Sequence, residues 1–141
     1  GMFASCTNLN ILASNGPTIG NTLESAFASC SLSTSSGVQN WDIANVTSLD
    51  SAFINTSINA NLSGWNISSV TTALNFMAGV TLSTSNYDSI LRGWQIQAVS
   101  GRVLTISFGS SQYTAASAAA TARGILVAAP YSWVITDGGT A

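Results

Sequence analysis

The sequence predicts an α+β architecture: a short solenoid with one strand and one short helix per unit of about 24 residues, closed by a C-terminal helix–strand–helix–strand cap. Three observations predict it. Landmark residues recur on one period, with Phe3 and Phe27 24 apart and Trp41 and Trp65 24 apart. Each unit joins an alternating piece to a piece with helical spacing. The period breaks after Met77, where longer helical and strand-like segments begin. The expected organisation is one compact domain, with repeats over residues 1–84 and a capping segment over 85–141.

The repeat is carried by several landmarks in register. Phe53 follows Phe27 by 26 residues, and Met77 follows Phe53 by 24. "WDIANVTSLDSAF" aligns with "WNISSVTTALNFM", and "TLESAF" with "SLDSAF". "FASC" occurs at Phe3–Cys6 and again at Phe27–Cys30. In the first piece of a unit, Trp65 and Ile67 share one parity, and Asn66 and Ser68 share the other, as in a strand with one buried face. In the second piece, Asn21-x-x-Glu24 and Thr47-x-x-Asp50 fit the capping box that starts a helix. Val46, Leu49 and Phe53 follow at helical spacing. A unit this small cannot bury its apolar face alone, so neighbours are expected to stack.

The capping segment reads in four pieces. Ser85-x-x-Asp88 is a further capping box, and Tyr87, Ile90, Leu91, Trp94 and Ala98 trace one face of a helix reaching to about Gly101. "RVLTISF" alternates, with Leu104, Ile106 and Phe108 on one side. "YTAASAAATARGILVAA" has high helix propensity, with Thr114 as N-cap and Pro130 beyond its end. "SWVIT" is a last strand, stopped at Asp137-Gly138-Gly139.

Composition excludes several function classes. Apolar residues make up 46% of the chain, so it is not disordered by composition. Only 6% of residues are charged, with no His and a net charge of −2. The cations are Arg92, Arg102 and Arg123, too few and too scattered for a nucleic-acid surface or a basic membrane helix. No apolar run approaches the roughly 20 residues of a membrane-spanning helix, and no signal peptide is visible. A surface rich in Ser, Thr and Asn is commoner outside cells, or on virions, than in cytosol.

Candidate chemistry is sparse. Ser is abundant, but there is neither His nor Lys to activate it, so no nucleophile–base system can be assembled. No zinc cluster or phosphate loop is present, and no cofactor is expected. Glu24, Asp50 and Asp88 could be read as glycosidase-type carboxylates, but their recurring position favours capping. Asp42 lies on the outward parity beside Asn66 of the next unit. A contact ladder, a weak Ca²⁺ site, or Asx side chains closing their own turns all fit, the last being favoured. Cys6 and Cys30 occupy equivalent places in adjacent units, where a slot for a small buried thiol is favoured over a disulfide. Trp41, Trp65 and Trp94 could be sugar-stacking platforms, but in-register repetition favours the core, and Trp133 is expected under the cap. Asn45, Asn55, Asn61 and Asn66 each begin an N-x-S/T triplet, which arises easily in such a composition.

The pattern "LSGWNISSVTTALNFMAG" (Leu62–Gly79) and its copies resemble the BspA-like leucine-rich-repeat surface proteins, and the tail from "YDSILRGW" is similar to the segment that follows such repeats. The chain departs from that pattern in its first unit, where Asn15 or its neighbours stand in place of Trp, and at Leu9-Asn10 and Ile58-Asn59. It opens inside a unit, so further repeats of the same chain are expected upstream. The resemblance implies a leucine-rich-repeat-type solenoid on a bacterial or phage surface protein used in adhesion. The expected function is a non-catalytic extracellular recognition module. It would bind a protein or glycan on a cell surface, without nucleic acid and without membrane insertion. Asp42, Asn66 and Ser68 are the candidate ligand-binding residues. The alternative is an assembly module of a larger surface protein or phage tail fibre.

Overall fold

A computed structural model describes residues 3, 5–7, 9–10, 19–34 and 37–141. Asn15 therefore lies outside the described residues. The elements run β1 (Leu9–Asn10), β2 (Leu32–Thr34), a 3₁₀ turn (Val38–Asn40), α1 (Thr84–Gln95), β3 (Thr105–Ser107), α2 (Ala118–Val127) and β4 (Val134–Thr136). Among the described residues strands pair two at a time, β1 with β2 and β3 with β4, both parallel.

This overturns the expected α+β solenoid of leucine-rich-repeat type. Among the described residues there are two α-helices, both after residue 83, and none in the repeating units. Among the described residues no continuous sheet runs through the units; single parallel bridges such as Thr22–Ser48 and Ser48–Thr72 stand where a ladder was expected. The result is a small mixed fold.

The reason lies in backbone conformation. Ser25 and Ser29, Ser51 and Asn55, and Asn75 and Gly79 all have positive φ, between 51° and 80°. A left-handed residue every fourth position cannot be part of an α-helix. The amides of residues 25–30 instead alternate. Those of Ser25, Phe27 and Ser29 donate to Asp50, Ala52 and Ile54 of the next unit, at 2.8–3.0 Å. Those of Ala26, Ala28 and Cys30 close turns within their own unit. Residues 51–56 repeat this, with Ser51, Phe53 and Asn55 donating to Leu74, Phe76 and Ala78. Half the amides that a helix would need are thus committed to a neighbour. The pieces around Trp41 and Trp65 are likewise turns, with Trp65 N donating to Leu62 O at 3.0 Å. Their parity persists without a strand: Trp65 and Ile67 are buried, and Asn66 and Ser68 are exposed.

An aromatic column fills the core. Phe3, Phe27 and Phe53 stack with centroids 5.4 and 5.3 Å apart. Phe76 continues it, meeting Phe53 edge-on at 5.8 Å, and then Trp94 and Phe108 at 5.9 and 6.1 Å. The indole N–H of Trp65 donates to Val38 O at 2.9 Å, and that of Trp94 to Leu62 O at 2.8 Å. The buried indole nitrogens of Trp41 and Trp133 have no such partner among the described residues.

After residue 83 the order is helix, strand, helix, strand, with shorter elements than expected. Ser83 caps α1 by accepting from Asn86 N at 3.2 Å, and the helix ends at Gln95 rather than near Gly101. The N-cap of α2 is Ser117, not Thr114. Asp88 caps nothing in its own helix: its carboxylate accepts from Thr114 N at 2.9 Å and Thr114 Oγ1 at 2.6 Å, tying α1 to the approach to α2. The last strand is fixed to both helices through Asp137. Arg123 donates from Nε and Nη2 at 2.7 and 3.2 Å, and Tyr87 donates from its hydroxyl at 2.6 Å.

Candidate functional site

Asp42, Asn66 and Ser68 stand on exposed turns of successive units. Ser69 Oγ donates to Ala44 O at 2.6 Å, which sets the two turns side by side. The carboxylate of Asp42 accepts from Ala44 N at 3.0 Å. Asn66 Oδ1 accepts from Ser68 N at 3.1 Å and from Ser68 Oγ at 2.6 Å. Two of the three candidate side chains thus use an oxygen to close their own turns, and the third is held by its neighbour. The row ends at Gln97, which donates to Trp65 O at 2.8 Å and accepts from Ile67 N at 2.7 Å. Arg102 Nη1 donates to Ser68 O.

The capping carboxylates are also placed. Asp50 reaches the next unit, accepting from Leu74 N at 2.6 Å and Thr72 Oγ1 at 2.7 Å. Glu24, at the matching place, is exposed, and its carboxylate has no hydrogen bond among the described residues. No group of three or more His, Cys, Asp or Glu side chains that could hold a metal ion occurs among the described residues. Cys6 and Cys30 are free thiols, and Cys30 Sγ donates to Phe3 O. Burial pushes the Cys30 thiol up from its ordinary pKa.

Two open clefts flank α1. One, of about 370 Å³, is lined by Ser63, Gly64, Ser89, Arg92, Gly93 and Ile96. The other, of about 420 Å³, lies towards α2 and is lined by Arg92, Gln95, Ile96, Thr121 and Ile125, with Ala118 and Ala122 at its base. Arg92 and Ile96 form their shared rim, and Ile96 is 79% exposed. Arg123 is paired with Asp137, and Arg102 is bonded to Ser68 O. Arg92 has no hydrogen bond or ion pair among the described residues. The side chains of Ser63, Gln95 and Thr121 likewise make no hydrogen bond among them. Spacing along the sequence had marked the α1 core face; Arg92 gave no signal there, because its surroundings come from residues near 63 and 121.

The family model described as "Mycoplasma protein of unknown function, DUF285" matches residues 21–106, more than half of the chain. The chain belongs to that family. No curated protein and no solved structure matches it. The first cleft lies wholly within the matched residues, whereas the α2 wall of the second lies beyond them. No helix among the described residues is long and apolar enough to cross a membrane.

Proposed function

We propose that this chain is a non-catalytic recognition module that acts outside the cell, at a cell surface or on a virion, and binds a protein or glycan. The likeness of Leu62–Gly79 to the BspA-like surface proteins supports this reading. The observation that carries it is the state of the three arginines. Two are consumed by internal bonds, and the third, Arg92, projects free between two clefts. Internal stability does not require a guanidinium there, so it is available to a partner. The Asp42, Asn66 and Ser68 row is a second contact surface of this module, adjoining the first through Ser63–Gly64.

The test is binding of fluorescently labelled protein to intact host cells and to a glycan array. The reading predicts saturable binding, lowered by Arg92→Gln or by the triple alanine variant at Asp42, Asn66 and Ser68. Binding that is absent, or unaffected by both variants, would sink it.

A second reading is supported by one observation. Phe3 ends the aromatic column with 37% of its surface exposed, stacked on Phe27. An assembly module would cover that ring with a further repeat of the same kind. Sedimentation that stays monomeric at high concentration, together with strong glycan binding, disfavours it.

A further inference from the structure

We propose that the paired clefts around Arg92 bind a carboxylated sugar, with Arg92 holding the carboxylate. This rests on the recognition reading above and names its ligand class.

Charge sets the first requirement. Arg92 is the cation of both clefts, and neither is lined by another. It stands in the last turn of α1, where the helix end carries partial negative charge. The local field is therefore no more than that of one cation. A monoanion in direct contact matches it, whereas a phosphate dianion would leave one of its charges without a cation. The planar guanidinium fork meets a carboxylate through two parallel N–H···O bonds.

The walls set the second. Ser63, Gln95 and Thr121 offer donors and acceptors with no internal partner, spread on both sides of Arg92. Ile96 and Ile125 supply apolar patches beside them. A sugar ring presents the same mixture: hydroxyls at its edge and C–H groups on its faces. An extended peptide would need a row of backbone partners, but the second cleft is walled by α1 and α2, whose amides are bonded within the helices. At about 370 and 420 Å³, each cleft has room for one ring, so an acid-bearing disaccharide could straddle the rim at Arg92.

The experiment is an NMR titration of the ¹⁵N-labelled chain with glucuronic acid and N-acetylneuraminic acid, each against its methyl ester. The expected result is saturable shifts at Arg92, Ile96 and Thr121 for the acids, with affinity at least about tenfold lower for the esters. Arg92→Gln should abolish the difference between acid and ester, and Arg92→Lys should restore part of it as a point charge. Arg92 is exposed, so both variants should keep the wild-type thermal midpoint. Equal affinity for acid and ester, shifts confined to the Asp42–Ser68 row, or no shift with about 10 mM ligand would each overturn the proposal. The cell-binding assay separates the two failures. If wild-type protein binds cells, Arg92→Gln does so equally and the triple alanine variant at Asp42, Asn66 and Ser68 does not, only the carboxylate inference fails. If wild-type protein binds neither cells nor glycans, the recognition reading fails as well.

Discussion

Tyr87 donates its phenolic hydrogen to Asp137 across 50 residues of sequence, at 2.6 Å, joining the first helix to the end of the last strand. The same carboxylate takes both bonds from Arg123 and one from Gly139 N at 3.1 Å. Burial pushes the Asp137 carboxyl up, but the bonds from Arg123, Tyr87 and Gly139 outweigh it and hold the group below its usual range. Burial, reinforced by Asp137, pushes the Tyr87 phenol well above its own.

The acid limb of stability should therefore depend on Asp137. Its folded pKa lies below the unfolded value of about 3.9, so its stabilisation is present above that pH and is lost as pH falls through the folded pKa. Urea unfolding followed from about pH 7 down to pH 2 should show a decline below about pH 4 that Asp137→Asn flattens. An unchanged acid limb would refute this role. Tyr87→Phe should lower stability at neutral pH by about 1–2 kcal/mol, since a bond to a charged group is lost but the carboxylate keeps Arg123. Tyr87 is expected to act on the alkaline side, its contribution being present below about pH 10 and lost above it.

Asp50 and Glu24 occupy matching places in adjacent units but should behave differently. Asp50 joins its unit to Thr72 and Leu74, whereas the Glu24 carboxylate meets nothing among the described residues. Asp50→Ala is expected to destabilise by about 1–3 kcal/mol, and Glu24→Ala to stay within about 0.5 kcal/mol. Denaturant midpoints of the two variants check this. Equal losses would show that the bonds from Asp50 to the next unit add nothing to stability.

How far the sequence reveals this molecule follows from the range of each signal. Burial was legible, because the period places Phe27, Phe53, Trp65 and Trp94 on the inside whatever the local backbone does. The helix–strand distinction was not. Leu49 and Phe53 have helical spacing, but Ser51 between them is left-handed, and nothing in the residue type of a serine announces that. The use of alternate amides for the neighbouring unit is a long-range choice that a local pattern cannot show. The outward turns around Asp42 and Asn66 were legible as Asx sites. The clefts at Arg92 were not, because they exist only once α1 lies against both the Ser63 turn and α2.

Phe76, rather than Met77, should govern the core of the third unit. By the register of the amide bonds between units Met77 matches Phe27 and Phe53, and Phe76 matches Ala26 and Ala52. Yet it is the Phe76 ring that contacts Phe53, Trp65, Trp94 and Phe108. Phe76→Ala should cost about 3–5 kcal/mol through the cavity it leaves. Met77→Leu, which roughly conserves volume, should cost less than about 1.5 kcal/mol. Chemical denaturation distinguishes them, and a reversed order would show that the column runs through Met77.

The two helical glycines should respond to alanine with opposite signs. A helix-interior Gly→Ala change gains about 0.5–1 kcal/mol from backbone entropy where the site is open. Gly124 in α2 is such a site, since a Cβ there would meet nothing within 4 Å. Gly93 in α1 is not: a Cβ would fall 2.6 Å from Ser63 O and 2.8 Å from Ser63 Cβ. Both close atoms belong to the turn that walls the first cleft, and the nearer is backbone, so relief requires α1 to move outward. Gly124→Ala should therefore raise the thermal midpoint by a few degrees, in line with about 4 °C or less per kcal/mol for a chain of this size. Gly93→Ala should lower it, and should also weaken ligand binding at the cleft, because Arg92 and Ile96 ride on the same helix. A stabilised Gly93→Ala variant with unchanged binding would show that α1 seats loosely on the Ser63 turn.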